Sequence, residues 1–272
     1  MILDAVQKGC RKFIIGIGGS VTTEGGIGML SALGYDFMDE NGDRLPPVFD
    51  SLEKVVQIKN NRVPEVLKDC HFQIACDVTN SLCGSQGCVY VFGSQKGVKE
   101  EEKESMDKAM QSYATCLEKF TGKKLSDIPG TGAAGGLGFA FLWGLPKVKL
   151  KPGIDIVLEA VGLTNELKDA DVVVTGEGCL DFQTAMGKVP VGVAKTAKNY
   201  NCKVIAFAGS VTEEAKKCNE KGIDAFFSIL PGVCSLDEAM DTETAQKNMR
   251  NAAEQVFRLI LACGKEKSSL HP

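Results

Sequence analysis

The chain has 272 residues, of which 44% are hydrophobic and 24% charged, so it has enough apolar material for one large or two modest cores. Its formal net charge of -4 argues against the basic surface that nucleic-acid-binding proteins present. The most apolar stretch, residues 130–145, is too short to span a membrane. We therefore expect a globular protein of the cytoplasm whose partners are small molecules.

The first predicted elements are a helix over residues 2–9 and a short buried strand over residues 13–17. A glycine-rich turn follows this strand, and a helix after such a turn is typical of α/β proteins. Apolar runs at residues 72–76, 172–175, 204–208 and 225–230 predict four more strands, most of them separated by helical patterns. The sequence therefore predicts an α/β fold with a mainly parallel sheet. Glycine-rich loops dominate the chain up to about residue 160, and a regular alternation of strands and helices follows. We therefore divide the chain into segments 1–160 and 161–272.

Two helices are predicted from the spacing of apolar side chains and from a capping pattern. The segment 100–120 carries an apolar stripe at steps of three and four residues, made of Met106, Met110, Tyr113, Leu117 and Phe120. Ser235 and Glu238 are spaced as a capping box before a short helix.

The first motif that suits a binding or catalytic role is G-I-G-G-S-V-T-T-E-G-G-I-G, residues 16–28, at the end of the first predicted strand. Backbone N–H groups of Gly18, Gly19 and Ser20 can hold an anion there, and the small residues let it approach. A tight strand-to-helix turn is the alternative, but it accounts less easily for so many glycines. We interpret the segment as an anion-binding turn.

The second motif is C-D-V-T-N-S-L-C-G, residues 76–84, with a later F-G-S-Q-K-G run at residues 92–97. Asp77 follows a predicted strand directly, where α/β folds expose functional side chains. It is a candidate base. An Asx turn leading into Asn80 is an equally open alternative.

The third motif, P-G-T-G-A-A-G-G-L-G at residues 129–138, matches the spacing of a dinucleotide-binding fingerprint. The polar segment 123–127 precedes it, whereas the fingerprint requires a hydrophobic strand. Gly132, Gly135 and Gly136 therefore either let a helix start pack closely or let a phosphate approach.

The fourth motif, G-E-G-C-L-D-F-Q-T-A-M-G-K-V-P-V-G-V-A, covers residues 176–194. No Ser or Thr follows Lys188, so the segment is not a P-loop. Its composition suits phosphoryl transfer, since Lys188 can neutralise phosphate charge and Glu177 and Asp181 offer the oxygen ligands that magnesium prefers. The alternative is a surface loop with ordinary charges.

Taken in this order, the four segments resemble the type I glycerate kinase family over residues 2–262. The resemblance implies a magnesium-dependent enzyme that transfers a phosphoryl group from ATP to a hydroxyl of D-glycerate. It also implies two α/β domains with the active site in the cleft between them. Residues 1–160 would form a glycine-rich substrate and phosphate domain, and residues 161–272 the C-terminal part of a doubly wound domain.

The sequence departs from the family pattern in two places. Family members typically carry Ala and then Thr-Asn-Asp after G-I-G-G-S, whereas residues 21–24 here are V-T-T-E. Glu24 keeps the carboxylate, so its role should survive if it only caps a helix. Relatives also begin with a strand, an Asp-Ser-Phe-Lys-Gly run and a Gly-Gly-Glu-Gly run that this sequence lacks. We therefore expect an N-terminally truncated chain, one incomplete domain and an exposed apolar sheet edge.

The resemblance and the residue chemistry together assign roles. Asp77 is expected to act as the base, and Lys96 to face a substrate carboxylate or phosphate. Lys188 is expected to neutralise charge on the ATP phosphates. Glu177 and Asp181 are the magnesium candidates. The residues expected to bind ATP or other anions are Gly18, Gly19, Ser20, Gly132, Gly135, Gly136, Gly176, Gly178, Gln183 and Thr184. The alternatives are an inactive fragment that requires a complementing N-terminal segment, and an anion- or nucleotide-binding module without catalysis.

Overall fold

The structure is a computed structural model that describes residues 1–265. The chain forms two compact units, Met1–Ile156 and Val157–Pro272, called here the N-terminal and C-terminal units. This division lies close to the boundary predicted near residue 160. No helix within residues 1–265 is long and apolar enough to cross a membrane.

The N-terminal unit contains five strands, five complete α-helices and the beginning of a sixth. The strands are β1 (Lys12–Gly16), β2 (Asp36–Met38), β3 (Gln57–Lys59), β4 (His71–Ala75) and β5 (Val148–Lys151). The helices are α1 (Ile2–Gln7), α2 (Ile27–Ala32), α3 (Cys88–Phe92), α4 (Lys103–Thr121), α5 (Ala133–Gly144) and α6 (Gly153–Ala160), the last of which continues into the C-terminal unit.

Strands β1, β4 and β5 form a parallel sheet in the order β1-β4-β5. Gly16 pairs with Ala75, and Ala75 pairs with Lys151, so the last residues of all three strands lie in line. Strands β2 and β3 pair separately as an antiparallel ribbon. The predicted mainly parallel α/β architecture is confirmed.

The core of the N-terminal unit is built largely on α4. The predicted apolar stripe is confirmed at Met110, Tyr113 and Leu117, which have no exposed surface. Phe120, at the end of the stripe, is 45% exposed and contacts the Trp143 ring at a centroid distance of 5.9 Å. The helix therefore buries the middle of its stripe and leaves its C-terminal end at the surface.

The C-terminal unit contains a second parallel sheet, in the order β6-β7-β8. Its strands are β6 (Val172–Leu180), β7 (Lys203–Val211) and β8 (Ala225–Ser228). The helices that follow α6 are α7 (Leu163–Glu166), α8 (Phe182–Ala185), α9 (Val189–Lys198), α10 (Leu236–Met240) and α11 (Thr242–Lys265). The capping box of α10 is confirmed, since the Ser235 hydroxyl accepts from the Glu238 N–H at 3.3 Å.

Strand β6 is longer than the predicted 172–175, and this corrects the placement of the fourth motif. Gly176, Glu177 and Gly178 lie inside the strand and not in a loop after it. A Cβ at Gly176 would lie within 3.0 Å of the Phe207 carbonyl oxygen on β7. Glycine therefore permits a close approach of the two strands here and does not end β6. Val174, on this edge strand, is 49% exposed, as expected of an apolar sheet edge.

Two aromatic polar groups in the core of the N-terminal unit provide a test of this packing. The Tyr113 hydroxyl is buried and has no hydrogen-bond partner among the described residues, whereas the Trp143 indole N–H donates to the Leu117 carbonyl at 2.6 Å. We expect Tyr113→Phe to leave the free energy of unfolding unchanged or to raise it. Trp143→Phe should lower it by at least about 1 kcal/mol, because it loses a hydrogen bond and creates a cavity.

Urea unfolding of the two variants and the parent chain measures both effects. A loss of more than about 1 kcal/mol in Tyr113→Phe would show that this hydroxyl has a partner in solution, such as a bound water.

Candidate functional site

Three loops of the N-terminal unit begin side by side at the carboxyl edge of its sheet. Gly18, Asp77 and Gly153 each lie two residues beyond the last paired positions of β1, β4 and β5. Neighbouring parallel strands are about 4.8 Å apart, so the loops share one small region of the surface. Carboxyl edges of parallel sheets are where α/β proteins bind ligands.

The loop after β1 presents an exposed glycine turn. Gly18 and Gly19 are exposed, Gly19 has a left-handed φ of 70°, and no atom lies within 4 Å of the position that a Cβ would take at either residue. Within residues 1–265 no protein acceptor receives their backbone N–H groups. The turn therefore offers free donors in open space, as an anion-binding turn requires.

Lys96 holds this turn, although 76 residues separate it from Ser20. Its ammonium donates to the Ser20 hydroxyl at 2.9 Å and to the Thr22 carbonyl at 2.7 Å. Lys96 reaches this position from a tight turn, in which its own N–H donates to the Gly93 carbonyl at 2.8 Å. Partial burial lowers the pKa of Lys96, and no carboxylate in the described part of the chain pairs with it. One of its three N–H donors remains for a ligand.

Asp77 is exposed, and its Oδ1 accepts the Gly153 backbone N–H at 2.8 Å, at the start of α6. Among the described residues no backbone N–H of residues 78–80 donates to the Asp77 carboxylate, so the alternative of an Asx turn into Asn80 is not formed. The Asn80 side chain donates to the Gln86 carbonyl at 2.8 Å. The strand-end position predicted for Asp77 is confirmed, while its assignment as a base stays a prediction.

The glycines of the third motif are buried and pack against other backbone segments. A Cβ at Gly132 would lie within 3.0 Å of the Ser81 carbonyl oxygen, and one at Gly135 within 3.0 Å of the Thr22 carbonyl oxygen. A Cβ at Gly136 would likewise lie within 3.0 Å of the Gly25 Cα. Close packing therefore requires glycine at all three positions. Their assignment to ATP stays a prediction.

Glu24 joins the β1 loop to helix α2. Its Oε2 accepts the Gly28 N–H at 2.7 Å, so this carboxylate satisfies a donor in the first turn of α2, whose N-cap is Gly26. Burial raises the pKa of Glu24, and the hydrogen bonds from backbone N–H groups oppose that rise. The next residue, Gly25, donates its N–H to the Gly135 carbonyl at 2.9 Å, which ties the β1 loop to the third motif.

The C-terminal unit gathers four residues of the fourth motif around the end of β6. Asp181 caps α8, with its Oδ1 accepting the Thr184 N–H at 3.0 Å, and this bond lowers the pKa of Asp181. The Thr184 hydroxyl donates to the Glu177 carboxylate. The Lys188 ammonium lies 3.7 Å from Asp181 Oδ1. Gln183 is exposed on α8 beside this cluster.

Two carboxylates of this cluster fit a magnesium ion only if other ligands complete its coordination. Glu177 and Asp181 meet at the hydroxyl of Thr184. Across residues 1–265, no group of three or more His, Cys, Asp or Glu side chains is arranged to hold a metal. Protein-bound magnesium commonly uses one or two carboxylates together with phosphate oxygens and water. The pair fits that arrangement and not an all-protein site.

The chain matches the model of the glycerate kinase family over residues 1–261. It is 42% identical over 240 residues to a glycerate kinase of Halalkalibacterium halodurans, covering 88% of this chain and 63% of that protein. It is 43% identical over 239 residues to the glycerate 2-kinase of Escherichia coli, covering 88% and 62%. A solved structure of glycerate kinase 2 from Salmonella typhimurium LT2 is similar, with a TM-score of 0.81, 40% identity and coverage of 97% and 68%.

The chain belongs to the glycerate kinase family. It spans between 62% and 68% of the length of these relatives.

Two substitutions of Glu24 separate its cap from its charge. Glu24→Ala leaves the Gly28 N–H without an acceptor, so we expect a loss of about 1 kcal/mol in the free energy of unfolding. Glu24→Gln keeps an acceptor oxygen and should cost less. Urea unfolding at neutral pH compares the three proteins, and equal losses in both variants would contradict the capping role.

The difference in stability between the parent and Glu24→Gln should depend on pH. Because the pKa of Glu24 is raised in the folded protein, that protein binds the proton more tightly than the unfolded chain. Below the unfolded pKa this difference adds its full stability, which is lost as the pH rises through the folded pKa. The stability of the parent relative to Glu24→Gln should therefore increase from neutral pH to about pH 4.

Proposed function

We propose that this member of the glycerate kinase family transfers the γ-phosphoryl group of ATP to a hydroxyl of D-glycerate, which gives phosphoglycerate and ADP. The names of its relatives support this activity, and so does one feature of the N-terminal unit. Lys96 is a partly buried cation beside a turn of free backbone N–H groups. We also propose the cytoplasm, where ATP is produced, as the compartment.

The proposed position of the acceptor site depends on Lys96. Even partial burial of a charge without a counter-charge is unfavourable, and an anionic ligand offsets that cost. The third donor of Lys96 and the N–H groups of Gly18 and Gly19 would receive the carboxylate of D-glycerate. The Ser20 hydroxyl already accepts from Lys96, so it orients the ammonium toward the same turn.

Asp77 is proposed as the general base. One oxygen is bonded to Gly153, and the exposed side chain leaves the other free for the acceptor hydroxyl. Asp77 takes the proton of the acceptor hydroxyl as the hydroxyl oxygen bonds to the γ-phosphorus of ATP. The bond from that phosphorus to the bridging oxygen breaks, and ADP leaves with the bridging oxygen. General-base assistance of this kind typically contributes about 10²–10⁴-fold in rate.

The nucleotide side is proposed to use the residues at the end of β6. Lys188 would neutralise phosphate charge, and Gln183, Thr184 and the backbone at Gly176 and Gly178 would bind phosphate oxygens. Glu177 and Asp181 would hold Mg²⁺, which when bound neutralises charge on the phosphates.

A single substitution tests the base. Asp77→Asn keeps an oxygen that accepts from Gly153 but removes the basic charge, so we expect kcat with D-glycerate to fall about 100-fold or more with little change in KM for ATP. A coupled assay of ADP release with D-glycerate and magnesium measures both constants. Asp4→Asn, on the exposed surface of α1, is the matched control and should behave as the parent.

Unchanged turnover in Asp77→Asn would remove the base assignment. If the parent chain bound D-glycerate but released no ADP, the anion-binding module would replace the kinase as the better account.

A further inference from the structure

We infer that Gly153, the first residue of α6, is a positioning residue for the Asp77 carboxylate. Its backbone N–H holds one carboxylate oxygen, and this orients the other toward the acceptor hydroxyl. The inference rests on the proposed role of Asp77 as the base. Gly153 was in none of the four sequence motifs, because it follows β5, a strand that the sequence did not predict.

The position of Gly153 follows from the sheet. Strand β5 neighbours β4, and Ala75 pairs with Lys151, so Asp77 and Gly153 leave the sheet at the same level. The Gly153 N–H reaches Asp77 Oδ1 at 2.8 Å. The first N–H groups of a helix have no intrahelical acceptor, and the positive end of the helix dipole favours a carboxylate there. An exposed side chain that would otherwise rotate freely is therefore fixed at one oxygen.

Neither backbone conformation nor protein packing requires glycine at this position. Residue 153 is not in the left-handed region, and a Cβ would lie 3.5 and 3.6 Å from the two oxygens of Asp77 and 3.8 Å from the Ala75 Cβ. These are ordinary van der Waals distances.

A matched pair of variants isolates the N–H group. Gly153→Ala and Gly153→Pro both add a carbon at Cβ, but only proline replaces the N–H, with its ring Cδ in the place of the hydrogen. Proline is well tolerated at the first position of a helix. We expect kcat with D-glycerate to be at least tenfold lower for Gly153→Pro than for Gly153→Ala, with the same KM for ATP in both. A purely structural cap would lower stability without this kcat difference, so equal kcat values would overturn the inference.

A second measurement reads the hydrogen bond without any substrate. Asp77→Ala is introduced into the Gly153→Ala and Gly153→Pro backgrounds, and urea unfolding is measured for all four proteins. We expect Asp77→Ala to lower the urea midpoint in the alanine background but not in the proline background, where no donor holds the carboxylate and the ring Cδ crowds it. Equal effects in both backgrounds would overturn the inference.

The two measurements distinguish this inference from the proposed function. If the parent chain phosphorylates no D-glycerate but the coupling is present, the proposed function fails and the positioning of Asp77 by Gly153 stands. If Gly153→Pro does not fold, hydrogen exchange of the Gly153 amide decides. We expect faster exchange in Asp77→Ala than in the parent, and an unchanged rate would overturn the inference.

Discussion

The parallel register of β1, β4 and β5 is the constraint on which the candidate acceptor site depends. Phe72 and Ile74 on β4 are 1% and 0% exposed, while Gln73 between them is only partly buried. A shift by one residue would turn both apolar side chains out of the core. Burial of these two residues therefore fixes the register, and the register sets the loops carrying Gly18, Asp77 and Gly153 side by side.

The glycine loop is stabilised from two sides by different interactions. Lys96 donates hydrogen bonds to the Ser20 hydroxyl and the Thr22 carbonyl, while the Gly25 N–H donates to the Gly135 carbonyl. The backbones meet so closely at Gly135 that no side chain fits. Within residues 1–265, the N–H groups of Gly18 and Gly19 receive no such contact. These contacts hold the segment that carries the free donors, which reduces the ordering cost of binding an anion.

Periodicity in the sequence predicts several of the local elements, whereas much of the site depends on the tertiary structure. The stripe of α4 predicted the burial of Tyr113, and the apolar run before Asp77 predicted its place at a strand end. Sequence could not show that Lys96 contacts Ser20, because a separation of 76 residues carries no local signal. β5 was missed because its V-K-L-K sequence alternates charged with apolar residues and is short. The sequence predicts that strand β6 ends before Gly176, because glycine usually weakens a strand, whereas the strand continues to Leu180.

The central claim is that the turn at Gly18 and Gly19 binds the carboxylate of D-glycerate with the help of Lys96. The most direct test is a titration of the ¹⁵N-labelled chain with D-glycerate, followed through the backbone amide signals of these two glycines. We predict saturable shifts of both signals in the parent chain and weaker binding in Lys96→Met. Signals of Gly18 and Gly19 that do not move while other amides report binding would contradict the account.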